Sequence, residues 1–256
     1  GAIIPGLLLV VLYIAYLLFY AWLKPESAPA ATTERVSRKE LFSSLLPPLI
    51  LIAIVLGSIM KGAATPTEAA GVGAVGALIL AFAKQQMDRK RLLEVATSTL
   101  RVTCMVFMIL IGAAVFSLVF RGFGGEELIH HFFEQLPGGV VGATLVVMLT
   151  IFLLGFILDF IEITFVVVPI VGPILLAMGV DPVWLGIMIA LNLQTSFLTP
   201  PFGFALFYLR GVAPSSLPTS AIYAGVIPFI IIQLAVLVAL WVWPEMATWL
   251  PSLLKK

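Results

Sequence analysis

The chain alternates long apolar runs with short polar interruptions. An α-helix needs about 20 apolar residues to cross a bilayer core roughly 30 Å thick, and several of the runs reach that length. The pattern therefore predicts an all-α polytopic membrane protein. Uninterrupted spans are predicted at 3–23, at two segments within 45–84, at 102–120 and at 222–243.

Polar segments separate these spans. Ser37-Arg38-Lys39-Glu40 has the form of a capping box and predicts a short helix along the membrane interface. Residues 85–101 mix charged and apolar side chains, which is typical of an amphipathic surface helix, and 121–139 predict a polar loop. At Thr65 a second capping box is predicted, in which Pro66 begins the next helix and Glu68 bonds back to the N-cap.

Two further apolar stretches are interrupted near the middle. Residues 140–178 are broken at 158–162, and residues 184–210 are broken at Pro200-Pro201. A proline pair removes two backbone donors, so the second stretch predicts a broken helix. The first stretch is compatible with a re-entrant hairpin or with two full spans.

The distribution of basic residues tests this threading, because Lys and Arg gather on cytoplasmic connections. If the helix ends near Lys24 and Lys84 are cytoplasmic, ten of the 14 basic residues lie on that side. This arrangement requires 140–178 to enter and leave on the outer side. A re-entrant hairpin and a pair of spans both satisfy the requirement.

Composition narrows the class of protein. Hydrophobic residues make up 61% of the 256 and charged residues 11%, whereas charged residues supply about a quarter of a soluble domain. The formal charge of +1 provides no basic field for nucleic acid, so no nucleic-acid partner is expected. The single Cys104 and the adjacent His130 and His131 do not predict a metal centre, and no catalytic or cofactor-binding residue is predicted.

A short sequence similarity within the chain indicates a repeat. Ala2-Ile3-Ile4-Pro5 resembles Gly225-Val226-Ile227-Pro228, each is followed by an apolar helix, and the threading gives the two helices opposite directions. This is expected of inverted-topology transporter repeats. We therefore expect the C-terminal part of a larger transporter, with these parts: 1–23, last helix of the preceding repeat; 24–44, cytoplasmic linker and interfacial helix; 45–120, scaffold spans with an amphipathic arm at about 85–101; 139–221, transport element with a re-entrant hairpin at 140–178 and a broken helix at 183–210; 222–256, final span and tail.

Two carboxylates fall in the hairpin interruption. Asp159 and Glu162 are three residues apart, so they share a face if the tip is helical. Ionisable groups at membrane depth are costly and are functional by default, and two carboxylates that close favour a shared proton or a bound cation. Alternatively, the tip reaches water and the carboxylates cap helix ends.

Oxygen-bearing side chains precede the proline pair. Asn192, Thr195 and Thr199 fall on one helical face. Pro200 and its neighbour leave the carbonyls four residues earlier, including that of Ser196, without helical donors. Such carbonyls need partners at membrane depth, and Na⁺ is a suitable one, while the next half-helix would favour an anionic substrate. The alternative is a proline kink that Ser/Thr side chains and water repair.

The residues that carry these features resemble the large membrane subunit of the tripartite ATP-independent periplasmic (TRAP) transporters. The similarity extends in order over essentially the whole chain. It rests on Ala64-Thr65-Pro66-Thr67-Glu68-Ala69-Ala70, on Gly155-Phe156-Ile157-Leu158-Asp159 and above all on the run from Asn192 to Gly203, Asn-Leu-Gln-Thr-Ser-Phe-Leu-Thr-Pro-Pro-Phe-Gly.

This resemblance implies an elevator-type transporter in a bacterial inner membrane. It implies re-entrant hairpins and broken helices from two inverted repeats, Na⁺ as the coupling ion, a small membrane subunit, and a periplasmic binding protein that delivers an organic acid or related small solute. The expected Na⁺ site comprises Asp159, Asn192, Thr195, Ser196 and Thr199, and the expected substrate contacts are Glu162, Thr164, Pro200 and Gly203. No other cofactor is expected.

Other functions remain open from the sequence. A proton-coupled permease would use Asp159 and Glu162 as proton carriers. An intramembrane enzyme would use the same pair as acid and base, but no nucleophile, oxyanion site or metal accompanies them. A purely structural subunit would leave both polar interruptions unexplained.

Overall fold

The computed structural model describes residues 1–27, 37–158, 160–200, 204–214 and 217–254, and the regular structure in these ranges is helical. A π-helical segment, Ile163–Val167, joins two of the helices. The α-helices of the described ranges are α1 (Ile3–Leu23), α2 (Arg38–Met60), α3 (Pro66–Ala83), α4 (Arg89–Gly122), α5 (Gly125–Glu134), α6 (Gly139–Leu154), α7 (Phe160–Glu162), α8 (Val168–Ala177), α9 (Pro182–Leu198), α10 (Phe204–Val212), α11 (Thr219–Val242) and α12 (Glu245–Leu254).

Many of these helices suit a lipid environment. Six helical segments of the described chain are long and apolar enough to cross a membrane, and most of their side chains are exposed. The prediction of an all-α polytopic membrane protein is confirmed. The six segments are Ile3–Leu23, Leu41–Met60, Pro66–Ala83, Arg89–Gly122, Phe160–Ala177 and Thr219–Val242.

Residues 28–104 form one compact unit, in which α2 and α3 pack together as a hairpin. The turn between them uses Gly62 at φ +66°, a conformation that glycine adopts without strain. At the start of α3 the predicted capping box is confirmed. The N–H of Thr65 donates to Glu68 Oε2 (2.8 Å), and the N–H of Glu68 donates to Thr65 Oγ1 (3.3 Å).

Two expected surface helices are instead parts of longer helices. Ser37 precedes α2 as its N-cap, but its side chain makes no capping hydrogen bond, and α2 continues without a break to Met60. The expected amphipathic arm at 85–101 is likewise continuous with the following span, because α4 runs for 34 residues. Between Asp88 and Gly112 no glycine or proline interrupts the backbone ladder, so nothing separates arm from span.

Residues 1–27 and 105–256 form the second compact unit, whose core is built around α9. This helix begins at Asp181, whose carboxylate accepts the N–H of Trp184 (2.8 Å), and Pro182 occupies the first helical position. Helix α9 packs against α6 and α11, and α1 packs against α11. Most fully buried apolar side chains of the described residues belong to this cluster.

Neighbouring contacts fix the directions of α1 and α11. The start of α1 lies beside Val183 at the start of α9, and the Trp184 indole bonds to Leu240 near the end of α11. Farther along α1, Tyr13 packs edge-on against Phe229, with ring centroids 5.1 Å apart. The two helices that carry the internal sequence similarity therefore run in opposite directions.

Two segments in which no helix was predicted are helical. The predicted loop at 121–139 contains α5, and the C-terminal tail contains α12. Each helix buries an apolar residue against the core, Phe133 from α5 and Ala247 from α12. This tertiary burial stabilises helices that are too short to be stable alone.

The Trp184 side chain caps a backbone carbonyl near the end of α11, and its replacement should destabilise the fold. The carbonyl of Leu240 has no helical donor because the residue four positions on is Pro244, and the Trp184 indole N–H supplies one (2.8 Å). Trp184→Phe should lower the free energy of unfolding by about 1–3 kcal/mol, measured by thermal unfolding of the purified protein. Trp249→Phe, at a side chain 54% exposed, is the control. Equal effects of the two substitutions would contradict this account.

Candidate functional site

The C-terminal ends of α6 and α9 meet at one point. Gly155 follows α6, and a Cβ placed on it would overlap both the hydroxyl and the Cβ of Ser196. Nearer the middle of each helix, Asn192 contacts Met148. Residue numbers rise together along both helices, so α6 and α9 run in the same direction and present the same end to each other.

Asn192 connects the two helices on the N-terminal side of this contact. Its side chain is 1% exposed, and its Nδ2 donates to the carbonyl oxygen of Met148 at 2.7 Å. A buried amide that makes such a bond fixes the register of the helices, because breaking the bond leaves a buried donor unpaired. Asn192 therefore holds the ends of α6 and α9 together.

Three hydroxyls in the last turns of α9 donate to their own helix. Thr195 Oγ1 donates to the Leu191 carbonyl (2.8 Å), Ser196 Oγ to the Leu193 carbonyl (2.9 Å) and Thr199 Oγ1 to the Thr195 carbonyl (2.8 Å). A hydroxyl that has given its proton to a carbonyl presents only lone pairs to a further partner. Such oxygens are suited to a cation.

One expectation about the backbone is wrong. The carbonyl of Ser196 does not lack a donor, because the N–H of Thr199 donates to it at 3.1 Å. The last turn of α9 tightens, as helix ends often do, and this N–H bonds three residues back instead of four. Thr199 then leaves the helix with extended backbone angles (φ −87°, ψ 126°). The Ser196 carbonyl keeps a second lone pair for another ligand.

The joined ends carry partial negative charge. The C-terminus of a helix has the electrostatic effect of roughly half a negative charge. The last turns of α6 and α9 are fully described and contain no basic residue. Two such ends in contact therefore form a local site that favours a cation.

Of the predicted site residues, the structure brings Asn192, Thr195, Ser196 and Thr199 to this place. The first three are buried and Thr199 is half-buried. Pro200 follows them in a half-buried turn. Asp159 and Gly203 lie outside the described residues.

The predicted substrate residues Glu162 and Thr164 lie on the arm that follows the interruption. Glu162 is half-buried at the end of α7. Thr164 lines a cavity of about 510 Å³ between this arm and α9, with Phe160, Leu193 and Phe197 among its mostly apolar neighbours. The cavity lies on a different face of α9 from the Asn192–Thr199 oxygens.

Sequence reasoning missed the two partners from α6, Met148 and Gly155. A methionine in an apolar run carries no visible signal for its carbonyl. Gly155 carries a weak signal, because an isolated glycine near the end of an apolar helix is a possible C-cap and its missing Cβ permits a close approach. Within the described chain, no group of three His, Cys, Asp or Glu residues could hold a metal. The described part of the site therefore consists of neutral oxygens.

Helices long and apolar enough to cross a membrane, packed around a polar site at two helix ends, are the architecture of a polytopic membrane protein. Comparison with known proteins gives its family. Residues 1–246 match the family described as "Tripartite ATP-independent periplasmic transporter, DctM component", and the chain belongs to that family. The predicted family is confirmed.

Relatives from several bacteria are similar to this chain. A sialic acid TRAP transporter large permease protein of Vibrio cholerae serotype O1 is 31% identical over 85% of this chain and 50% of its own length. An ectoine/5-hydroxyectoine TRAP transporter large permease protein of Ruegeria pomeroyi is 30% identical over 97% of this chain and 58% of its own length. A C4-dicarboxylate TRAP transporter large permease protein of Pseudomonas aeruginosa is 30% identical over 98% and 58%.

These relatives are permease proteins of transporters and not enzymes, and the hypothesis of an intramembrane enzyme is therefore rejected. Family membership and the apolar helices place the chain in a bacterial inner membrane as a multi-pass protein. The chain spans about half the length of the curated relatives it matches, 50% and 58% for the first two.

Proposed function

We propose that this chain is part of a TRAP large permease subunit that couples the uptake of an organic acid or related solute to Na⁺. A periplasmic binding protein delivers the solute, and a small membrane subunit completes the transporter. The permease works as an elevator built from two inverted repeats. The antiparallel helices α1 and α11 carry the short sequence similarity between these repeats. The names of the relatives support an organic solute, since they include sialic acid, ectoine and C4-dicarboxylates.

The observation that carries the proposal is the contact between the C-terminal ends of α6 and α9. Both ends are partly negative, and the hydroxyls of Thr195, Ser196 and Thr199 offer lone pairs there. Both helices are also short. Their 16 and 17 residues extend about 24–26 Å at 1.5 Å per residue, less than the roughly 30 Å core. Their joined ends therefore fit membrane depth, where a desolvated cation would find few other oxygens.

The ion site and the substrate site are linked in this proposal. Asp159 follows Gly155 by four residues and adds a full negative charge to the Na⁺ site. The N-terminus of α10 attracts the substrate carboxylate, and Glu162, Thr164, Pro200 and Gly203 complete the substrate contacts. Na⁺ and substrate then favour the same closed state, so each strengthens the binding of the other.

A proton-coupled permease is the second candidate. Glu162 is half-buried near the start of a segment long and apolar enough to cross a membrane, and a carboxyl group within the membrane is able to carry a proton. The two candidates share the fold and differ in the driving ion.

Uptake under separate ion gradients distinguishes the two candidates. The complete transporter is reconstituted in vesicles with its binding protein, and uptake of labelled sialic acid, ectoine and succinate is measured. An Na⁺ gradient at equal pH should drive uptake of one of these solutes, and a pH gradient without Na⁺ should not. Uptake driven by the pH gradient alone would replace Na⁺ by protons in the proposal.

A further inference from the structure

The arm Phe160–Ala177 contains one helical turn that is wider than an α-helical turn. The segment Ile163–Val167 is π-helical, and the N–H of Val168 donates to the carbonyl of Ile163, five residues back instead of four. A single π turn has the effect of one residue inserted into an α-helix, and such turns often occur at functional sites. The part of the arm before the insertion is therefore rotated by about 100° relative to α8, because an α-helix turns by that angle at each residue.

Burial along the arm shows this rotation. Ile163 and Leu175 are both 0% exposed and belong to the same buried core. They are twelve residues apart, so an uninterrupted α-helix would place them about 120° apart, on different faces. Thr164 is eleven residues from Leu175, and the same helix would place it within about 20° of the buried face. In the structure Thr164 is exposed, so the π turn puts Ile163 in the core where an α-helix would put Thr164.

The same rotation aligns the residues of the arm that line the cavity of about 510 Å³ beside α9, which include Phe160, Thr164 and Val168. Phe160 and Val168 are eight residues apart, which in an uninterrupted α-helix is a separation of about 80° around the axis. With one residue inserted they correspond to positions seven apart, and the separation falls to about 20°. The π turn therefore places Thr164 and its neighbours in one row along the cavity.

Pro169 directly follows the residue whose N–H closes the π turn. In an α-helix the proline ring would clash with the carbonyl of Phe165, four residues back, and a proline has no N–H to donate to that carbonyl. A wider turn immediately before the proline relieves the clash. Pro169 thus disfavours the α-helical alternative in which Thr164 would be buried.

We propose that Pro169 is a positioning residue that keeps the arm in the π-helical register, in which Thr164 faces the cavity. Without the proline, the arm becomes a continuous α-helix, Thr164 rotates into the core, and Phe165 takes its place at the cavity. This register is a property of the arm and is independent of the ion that drives transport. Its consequence for uptake rests on the proposed function, in which Thr164 contacts the substrate.

Cysteine cross-linking in the complete purified transporter tests the register. All native cysteines, including Cys104, are replaced by serine, and Ala190→Cys on α9, at an exposed residue that lines the cavity, is combined with Thr164→Cys or with Phe165→Cys. A short bismaleimide should join Ala190→Cys to Thr164→Cys in preference to Phe165→Cys. Pro169→Ala should reverse this preference and change the ratio of the two yields at least about tenfold, since proline is far less favourable than alanine inside an α-helix.

A deletion and a second proline give the rescue and the control. Val166 is one of three consecutive valines, 166–168, and its deletion from the Pro169→Ala variant offsets the rotation by one residue. Cross-linking at Thr164→Cys should then return. Pro173→Ala removes another exposed proline of the arm, at a position where the backbone is already α-helical, and should leave the cross-linking pattern unchanged.

Two results would overturn the inference: an unchanged preference for Thr164→Cys in the Pro169→Ala variant, or a reversal of the same size in Pro173→Ala. Uptake by variants that keep Thr164 tests the consequence separately. Pro169→Ala should raise the KM of the transported solute about fivefold, the loss of roughly one hydrogen bond, and deletion of Val166 should lower it again. Reversed cross-linking with an unchanged KM would support the register and reject Thr164 as a substrate contact in the proposed function.

Discussion

Replacing Gly155 with alanine should lower Na⁺-driven uptake at least about tenfold, which corresponds to ~1.4 kcal/mol. The backbone of Gly155 (φ −65°, ψ −8°) is acceptable for alanine, so the expected effect is steric. The added Cβ overlaps the hydroxyl and Cβ of Ser196, and α6 and α9 must separate to admit it. Overpacking of this kind costs about 1–3 kcal/mol, and separation pulls apart the oxygens that would hold the ion.

A control and a rescue distinguish this effect from general instability. Gly225→Ala makes the same change where a Cβ meets nothing within 4 Å, and it should leave uptake near the wild-type level. Adding Ser196→Gly to Gly155→Ala removes the overlapping atoms together with one proposed Na⁺ ligand. It should therefore restore thermal stability but leave the Na⁺ response below the wild-type level. If the single variant transports normally, or if Gly225→Ala is equally damaging, the contact between the two helix ends is not the basis of activity.

The combination of Thr199→Val and Asp159→Asn should remove most of the Na⁺ dependence of uptake. Valine removes the hydroxyl that donates to the Thr195 carbonyl. In the proposal, the lone pairs of this hydroxyl coordinate the ion. Asparagine removes the only full negative charge that the proposal gives the site. A cation then loses one coordinating oxygen and one counter-charge, so half-maximal uptake should require at least about tenfold more Na⁺.

Two conservative variants serve as controls for this pair. Thr199→Ser keeps the hydroxyl and should retain the Na⁺ response. Thr150→Val removes a hydroxyl with the same bond to a carbonyl four residues back (2.8 Å), but on an exposed face of α6. It should transport like the wild-type protein. Unchanged Na⁺ dependence in the double variant would reject the assignment of this site.

The sequence predicted elements that depend on local chemistry. The apolar runs indicated the spans because crossing a membrane requires length and hydropathy, and both are properties of a continuous stretch of residues. The capping box at Thr65 needed only residues within one turn. Helices α5 and α12 were missed because burial of Phe133 and Ala247 against distant segments stabilises them. The amphipathic segment at 85–101 and the span after it were predicted as separate elements, because the charged residues suggested a boundary. In the structure one continuous helix, α4, runs through both.

The features of the site were likewise predicted where they depend on local sequence and missed where they depend on tertiary packing. Helical spacing alone predicts that Asn192, Thr195 and Thr199 share one face of a helix. The contacts with α6 and with the residue that follows it join positions more than 40 residues apart, and only tertiary packing shows that Met148 meets Asn192 and that Gly155 meets Ser196. Proline chemistry correctly identified a special backbone at the end of α9. It did not predict that the N–H of Thr199 would shift to the Ser196 carbonyl, because that depends on how the last turn tightens.

Thermal unfolding of the purified complete transporter in NaCl and in choline chloride, at equal ionic strength, tests the ion site most directly. A ligand that binds only the folded protein stabilises it by about 2.7 kcal/mol at a concentration of 100 times its Kd. The account predicts that the midpoint rises with Na⁺ concentration, does not rise with choline, and ceases to respond in the double variant of Thr199 and Asp159. Identical midpoints in the two salts, or an undiminished Na⁺ response in that variant, would contradict it.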